Sequence, residues 1–376
     1  MIRVAMLIPT IDQIGGAERQ VLLLAKELRR RGWQVTVIAL SGTGSASAEE
    51  LKTAGVGYLS LEMRKAWIDP RGWFRYLAWV SVNRPEIVHA HLPHATWFAR
   101  FARLLAPIRI HVDTIHTSNT GSKARRLGYR LTHWLTNQVT GVSASVASAT
   151  IAARMAPEED LTILFNGVEM PQSDTLPRSV GFNASPERPF RWISVGRLAP
   201  VKDYPTLLRA FATLNCEPTL QIVGNGLEEH VLRSLASELR IENRVHFAGF
   251  QCNVQPFLAA ADAFVLSSLW EGLPIGVLEA AAASLPVVAT DGNGTREAMR
   301  PNKAGYLVPV GDVDALSQAM ASIMAMPIDQ RLNMGECGRR FVEKHFSLPV
   351  IADQWQSLYT QLLQNSPNPA RHAGVR

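Results

Sequence analysis

A chain of 376 residues is longer than one ordinary hydrophobic core needs, so two domains are expected; 47% hydrophobic and 19% charged residues exclude a disordered or fibrous protein. Cys216, Cys252 and Cys337 form no Cys-x-x-Cys pair, which argues against a disulfide scaffold or a zinc site and fits a reducing compartment. The net charge of +6 is uneven: residues 1–172 hold 20 Lys/Arg and 13 Asp/Glu, net +7, and the remainder is net −1. The first half is therefore expected to meet something anionic, a nucleic acid or a membrane surface.

Arg3–Pro9 reads as a buried strand. Its apolar run is too short for a signal peptide, and no apolar stretch in the chain approaches the roughly 18 residues needed to span a bilayer. Thr10-Ile-Asp-Gln-Ile-Gly15-Gly16-Ala-Glu18 then opens an amphipathic helix, Ala17–Arg31, ended by Gly32. Glycine at this place lets the backbone approach an anion, or makes a plain strand-to-helix turn. It is not Gly-x-Gly-x-x-Gly, which weakens a dinucleotide reading. Further strands are expected at Gln34–Leu40, Ile87–His91, Ile110–Thr114, Val139–Ser143 and Leu161–Phe165, with helices including Pro93–Ala106 and Ala124–Thr136. Such alternation predicts a parallel sheet with helices on both faces.

Two features of the first half carry possible chemistry. His116, in Asp113-Thr-Ile-His116-Thr-Ser, lies just past a strand, where an imidazole can shuttle a proton or stabilise charge. The second feature is a helix with Lys123, Arg125, Arg126, Tyr129, Arg130 and Trp134. With Arg64-Lys65-Ala-Trp67 and Arg71-Gly-Trp73-Phe-Arg75-Tyr76 it forms a basic-aromatic collection suited to an anionic bilayer, the alternative being an ordinary solvated face. RNA-binding signatures are lacking, so no nucleic acid is expected.

Residues 170–189 carry four prolines and no periodicity, and read as a linker. Alternation then restarts, with strands expected at Arg191–Gly196, Thr219–Val223, Val245–Ala248, Ala263–Ser267 and Val287–Ala289, and a last helix at Pro349–Leu363. After the first of these strands, Gly196-Arg197-Leu-Ala-Pro-Val-Lys202-Asp203 places two cations across a proline turn, able to converge on a diphosphate. Gly224-Asn-Gly226 ends the next strand and reads as a turn or a close approach to a ligand. Ser268-Leu-Trp-Glu271-Gly-Leu273-Pro274-Ile-Gly276-Val277-Leu-Glu279 combines a loop carboxylate, a helix start with its unpaired amides, and a second carboxylate inside the helix. A carboxylate repels phosphate, so this pair suits the hydroxyls on either side of a sugar-nucleotide diphosphate.

Together these segments resemble a known family. Gly15-Gly16-Ala-Glu18, Thr-Ile-His116-Thr and Asn166-Gly167-Val168 are similar to the first domain of retaining glycosyltransferases of the GT-B fold, family 4 (glycosyltransferase group 1). Val195-Gly-Arg197 … Lys202-Asp203, Gly224-Asn-Gly226 and Ser268 … Glu279-Ala resemble its second. One departure is Val201-Lys202-Asp203, where many relatives carry Glu or Gln before the lysine and Gly after it. The resemblance implies two Rossmann-like doubly wound α/β domains facing a central cleft: an acceptor-side domain at 1–172, a donor-binding domain at 173–348 and a helix at 349–376 crossing back to the first.

It also implies roles. Gly16, Arg197, Lys202, Gly276 and Val277 would hold the donor diphosphate. Glu279, Gly224, Gly226 and Phe250 would serve ribose and base. Glu271, Leu273 and Pro274 would meet the donor sugar, and His116 would stand beside the anomeric centre, making His116 and Glu271 the catalytic candidates. Independently of the resemblance, the basic-aromatic helix is expected to make Lys123, Arg125, Arg126, Arg130 and Trp134 the membrane or acceptor surface. Paired cations and a helix N-terminus can stabilise a leaving nucleoside diphosphate without a metal, and the chain is read as carrying no Asp-x-Asp tripeptide anywhere, so no metal or other cofactor is expected.

The expected reaction moves a hexose from UDP- or GDP-sugar to a saccharide or lipid-linked saccharide, with retention, on the cytoplasmic face of a membrane in surface polysaccharide or glycolipid synthesis. A sugar-nucleotide epimerase and a catalytically silent scaffold subunit are the alternatives. Substrate choice is left to loops such as Ser41–Ala48 and Ile68–Trp73.

Overall fold

The computed structural model describes residues 1–376 except 13, 65–67, 107, 172–187 and 367–376. Most of the expected linker, and Lys65 to Trp67 of the basic-aromatic collection, lie outside the described residues. The chain divides into two compact units, residues 1–167 with 348–376 and residues 168–347. The expected boundary at 172–173 lies outside the described residues, and the last helix belongs to the first unit.

The first unit alternates strand and helix: β1 (Arg3–Ile8), α1 (Gly16–Arg30), β2 (Gln34–Ala39), α2 (Ser45–Thr53), β3 (Gly57–Ser60), α3 (Pro70–Asn83), β4 (Ile87–His91), α4 (Pro93–Leu105), β5 (Ile110–Ile115), α5 (Lys123–Leu131), β6 (Gln138–Gly141), α6 (Ala144–Ala152) and β7 (Leu161–Ile163). Its strands form a parallel sheet in the order β3-β2-β1-β4-β5-β6-β7. Side-chain alternation divides β1 between two cores. Val4, Met6 and Ile8 pack under α1, while Ala5 and Leu7 pack with Val88, Ala90 and Phe98 on the other face. Burying each large aliphatic side chain contributes about 1.5–3 kcal/mol.

The second unit continues with β8 (Arg191–Val195), α7 (Tyr204–Ala212), β9 (Thr219–Val223), α8 (Glu229–Glu238), β10 (Val245–Phe247), α9 (Gln255–Ala260), β11 (Ala263–Leu266), α10 (Ile275–Ala282), β12 (Val287–Thr290), α11 (Thr295–Ala298), β13 (Gly305–Val308), α12 (Val313–Ala325) and α13 (Ile328–Phe346). Its parallel sheet runs β10-β9-β8-β11-β12-β13. Trp192, Leu220, Ile222, Val265 and Val288 meet Leu207, Phe211, Leu316 and Met320 on one face. The helix α14 (Leu348–Asn365) belongs to the first unit, where Ile351, Trp355 and Tyr359 complete the core beneath α1.

Three expectations need correction. Helix α5 ends at Leu131, not Thr136, and a 3-10 turn at His133–Leu135 follows. The cause is Thr132, whose hydroxyl donates back to the Gly128 carbonyl at 2.7 Å and competes with continuation. The edge strands β3 and β13, four residues each, were too short to show periodicity. The segments taken as specificity loops enter helices: residues 45–48 open α2, and Pro70–Trp73 open α3 behind an Asp69 cap.

Candidate functional site

In each sheet the strand order reverses direction once, between β1 and β4 and between β8 and β11. Ligands of doubly wound sheets bind outside the carboxyl ends of the strands at such a reversal. The singled-out residues gather at those ends.

In the second unit the loop after β8 carries Arg197, and a 3-10 turn at Pro200–Lys202 brings Lys202 back across the end of β11. Leu269 N–H donates to the Val201 carbonyl and Ser267 Oγ to the Lys202 carbonyl, both at 2.8 Å. These bonds place Lys202 Nζ 2.5 Å from Glu271 Oε1, which also accepts from Ser268 Oγ at 2.6 Å. Two residues assigned separately from sequence are thus one ion pair. An ammonium has three donors, and Glu271 takes one. Arg197 is exposed.

Glu271 is held from behind by a loop that sequence reading passed over, Asp291-Gly-Asn-Gly294. Glu271 N–H donates to the Gly292 carbonyl at 3.2 Å, and Gly294 N–H to the Glu271 carbonyl at 3.4 Å. A Gly-Asn-Gly run directly after a strand was the available signal.

Helix α10 starts against the end of β8: a Cβ on Gly276 would lie 3.1 Å from the Val195 carbonyl oxygen. Ile275 and Gly276 are its first two positions, where amides have no intrahelical acceptor. Val277 differs from its expected role. Its N–H donates to the Pro274 carbonyl at 3.1 Å and its side chain is fully buried. Pro274 has no N–H, and both it and Leu273 are buried, so neither side chain faces outward to a sugar. Glu279 lies half-buried in the second turn of α10.

The turn at Gly224–Gly226 is packed on the Arg197 loop. A Cβ on Gly224 would fall 2.0 Å from the Gly196 oxygen, and one on Gly226 2.1 Å from the Leu198 oxygen. Backbone packing alone therefore explains both glycines, whatever ligand the turn meets. Gly224 N–H donates to the Gly249 carbonyl at 2.9 Å, which brings the exposed Phe250 beside the turn.

In the first unit the site lies at the ends of β4 and β5. His116 and His91 share a hydrogen bond, Nε2 to Nδ1, at 3.1 Å. The His91 ring lies against that of His89, tilted by 43° with centroids 3.9 Å apart. His89 belongs to a fixed chain of bonds. Thr140 Oγ1 donates to the Asp113 carbonyl, a pure acceptor, and accepts from Thr114 at 2.7 Å. Thr114 therefore accepts from His89 Nε2–H at 2.6 Å, and His89 Nδ1 accepts from Tyr359 O–H at 2.7 Å. Burial pushes His89 down to about 3 and His116 to about 4, and holds His91 well below the usual histidine range. His89, His91 and Tyr359 are not singled out by the sequence.

Beneath this cluster Asp113 and Arg100, both fully buried, pair at 2.8 Å, and Arg100 also donates to Thr132 Oγ1 and the Tyr129 carbonyl. The pair locks α4 and α5 to β5. Arg100 beside Asp113 holds its carboxyl well below the usual range, against a desolvation that pushes it up.

Gly16 is exposed as the first residue of α1, and Glu18 folds back so that its carboxylate accepts from Gly15 N–H at 3.0 Å. Gln20 on the same helix makes a reciprocal pair of 2.8 Å bonds with Gly167, a clamp invisible at a separation of 147 residues.

The basic helix divides. Lys123, Leu127, Arg130 and Leu131 are exposed at the three- and four-residue spacing of one face of α5, and Trp134 is exposed in the 3-10 turn that follows it. Trp134 is 70% exposed. Arg126 is half-buried. Arg125 departs from this face, lining the depression next to His116, Asn119 and Tyr129.

The expectation of no metal rested on a missing Asp-x-Asp tripeptide, and Asp312-Val-Asp314 does have that pattern. It stands outside the motif segments, at the start of α12, where Asp312 Oδ1 accepts from Ala315 N–H at 2.9 Å as a helix cap.

Sheets, reversals and motif positions define a GT-B glycosyltransferase. The family model described as Glycosyltransferase Family 4 matches residues 14–170, and that described as Glycosyl transferases group 1 matches residues 178–341. The chain belongs to this family. A lipopolysaccharide core biosynthesis glycosyltransferase of Rhizobium meliloti is 28% identical, over 94% of this chain and 97% of its own. A phosphatidyl-myo-inositol mannosyltransferase of Mycobacterium leprae is also 28% identical, over 95% and 96%. Among solved structures, Anabaena HepE in complex with UDP and glucose superposes with a TM-score of 0.82 over 96% of this chain and 100% of its own, at 18% identity, which shows the shared fold.

Proposed function

We propose that the protein transfers a hexose from a UDP- or GDP-sugar to a saccharide or lipid-linked saccharide with retention of configuration, in surface polysaccharide or glycolipid synthesis. The observation that carries this reading is the convergence of Lys202, Glu271 and the start of α10 on the carboxyl edge of one sheet. Arg197, Lys202 and the amides of Ile275 and Gly276 would bind the diphosphate and stabilise its departure, without a metal. Glu279 would accept from ribose hydroxyls and Glu271 from the sugar. Gly224, Gly226 and Phe250 would border the base. His116, kept neutral by burial, would donate or accept at the sugar rather than supply a cation.

The relatives support this reading by name: one is a lipopolysaccharide core biosynthesis glycosyltransferase and one a phosphatidyl-myo-inositol mannosyltransferase. The test is release of nucleoside diphosphate from a panel of UDP-, GDP- and ADP-sugars with lipid-linked and free saccharide acceptors. Acceptor-dependent release from one donor is expected. Conversion of the donor alone, or no release from any pair, would overturn the proposal.

The protein would work at an anionic membrane surface from the cytoplasmic side, through Lys123, Leu127, Arg130, Leu131 and Trp134. No helix among the described residues is long and apolar enough to cross a membrane. A basic face interleaved with exposed Leu and Trp suits the headgroup layer. Sedimentation with phosphatidylserine vesicles is expected at low salt, weakened at high salt and lost in Trp134→Ala. A protein that stays in the supernatant at low salt makes this an ordinary solvated face.

A further inference from the structure

We propose that His91 is a positioning residue for His116: its Nδ1–H donates to His116 Nε2 and so fixes His116 with its own proton on Nδ1, as a hydrogen-bond donor to an oxygen of the sugar substrate. This rests on the proposed placing of His116 beside the donor sugar.

The argument is a count of protons. Two neutral imidazoles joined by one hydrogen bond carry two protons, of which the bond uses one. The other must lie on His91 Nε2 or on His116 Nδ1. Both atoms are buried, and neither has a partner among the described residues. An unmatched buried N–H costs about 1–3 kcal/mol, so the proton belongs where an incoming group can accept it. His91 is 3% exposed and wedged between the rings of His89 and His116. His116 is less enclosed and lines both depressions at this sheet edge, whereas His91 lines only one. The proton therefore sits on His116 Nδ1, and His91 Nε2 is bare. Burial keeps both rings neutral near pH 7. His89 cannot substitute as the positioning group, because both its nitrogens are committed to Thr114 and Tyr359. His89 and His116 thus carry opposite tautomers.

Long-range proton–nitrogen correlation spectra of the full chain with nitrogen-15 histidine, at neutral pH, read this directly. Signals are assigned by their loss in His91→Asn, His89→Asn and His116→Gln. His116 is expected protonated on Nδ1 and His89 on Nε2. A His116 proton on Nε2, a doubly protonated ring or averaged nitrogens would overturn the inference.

Kinetics give a second arm. His91→Asn keeps an N–H near the place of Nδ1, while His91→Phe fills the space without one. The Phe variant is expected to lose kcat about tenfold or more at unchanged donor KM, the scale set by losing orientation of a site group. The Asn variant should recover most of that loss. A purely structural role reverses the order, because Phe fills a buried ring site better than Asn. Should His116→Ala retain full activity, the placing of His116 fails, while the spectra still decide its tautomer. Should His116→Ala be inactive and its proton lie on Nε2, only the present inference fails.

Discussion

Lys202→Ala is expected to lower kcat/KM for the sugar-nucleotide donor by about 10²–10³-fold, the scale seen when one preorganised donor to developing charge is removed. Departure of a nucleoside diphosphate builds negative charge on the phosphate, and a cation held in place stabilises it without reorganising. The turn carrying Lys202 is held by Leu269 N–H on the Val201 carbonyl and by Ser267 Oγ on the Lys202 carbonyl, and the ammonium by Glu271, so its position does not depend on a ligand. The substitution also leaves Glu271 without its cation, so Lys202→Ala and Glu271→Gln should be strongly non-additive in a double-mutant cycle. Steady-state rates with the donor identified by the nucleotide panel check both points. Additive losses would mean that the two residues act separately.

The unfolding free energy of the first unit is expected to fall by about 3 kcal/mol or more between pH 7 and pH 4. His116 is pushed from 6.5 to about 4 and His89 from 6.5 to about 3, in each case first by burial. A base whose folded pKa is lowered stays neutral in the fold while the unfolded chain takes up a proton. The unfolded state therefore binds more protons between about pH 6.5 and the folded values, and stability declines throughout that window as pH falls. Each pKa unit corresponds to about 1.4 kcal/mol, and the coupling between the rings makes the sum smaller than its parts. Asp113, whose folded pKa is depressed, adds a loss in the same direction once pH drops below the ordinary carboxylate range. Urea midpoints measured across this range should move steadily downward. A flat profile from pH 7 to 5 would contradict neutral burial of the cluster.

The sheet interiors were the most legible part of the sequence. Ile87–His91 and Thr219–Val223 are strands over the residues expected, because continuous apolar runs between turn signals have few other readings. The order of motifs along the chain identified the family. What escaped was pairing across distance. Nothing local in Lys202 or Glu271 reveals that they meet, since the contact is made by a 3-10 turn and the Asp291–Gly294 loop. His89 looked like one histidine among several until Tyr359, 270 residues later, closed its bonds. Arg125 sat on a plausible basic helix, yet a residue's face depends on where that helix packs. Val277 was read as an open amide because the tightening of the first turn of α10 is a backbone detail.

Calorimetric titration of the protein with UDP, GDP and ADP bears most directly on the placing of the donor at Arg197, Lys202 and the start of α10. One of these nucleotides is expected to bind, with affinity reduced at least tenfold in Lys202→Ala and in Arg197→Ala, the effect of removing one charged hydrogen-bond donor. Absence of binding by the unaltered protein, or variants that bind as tightly as the unaltered protein, would contradict it.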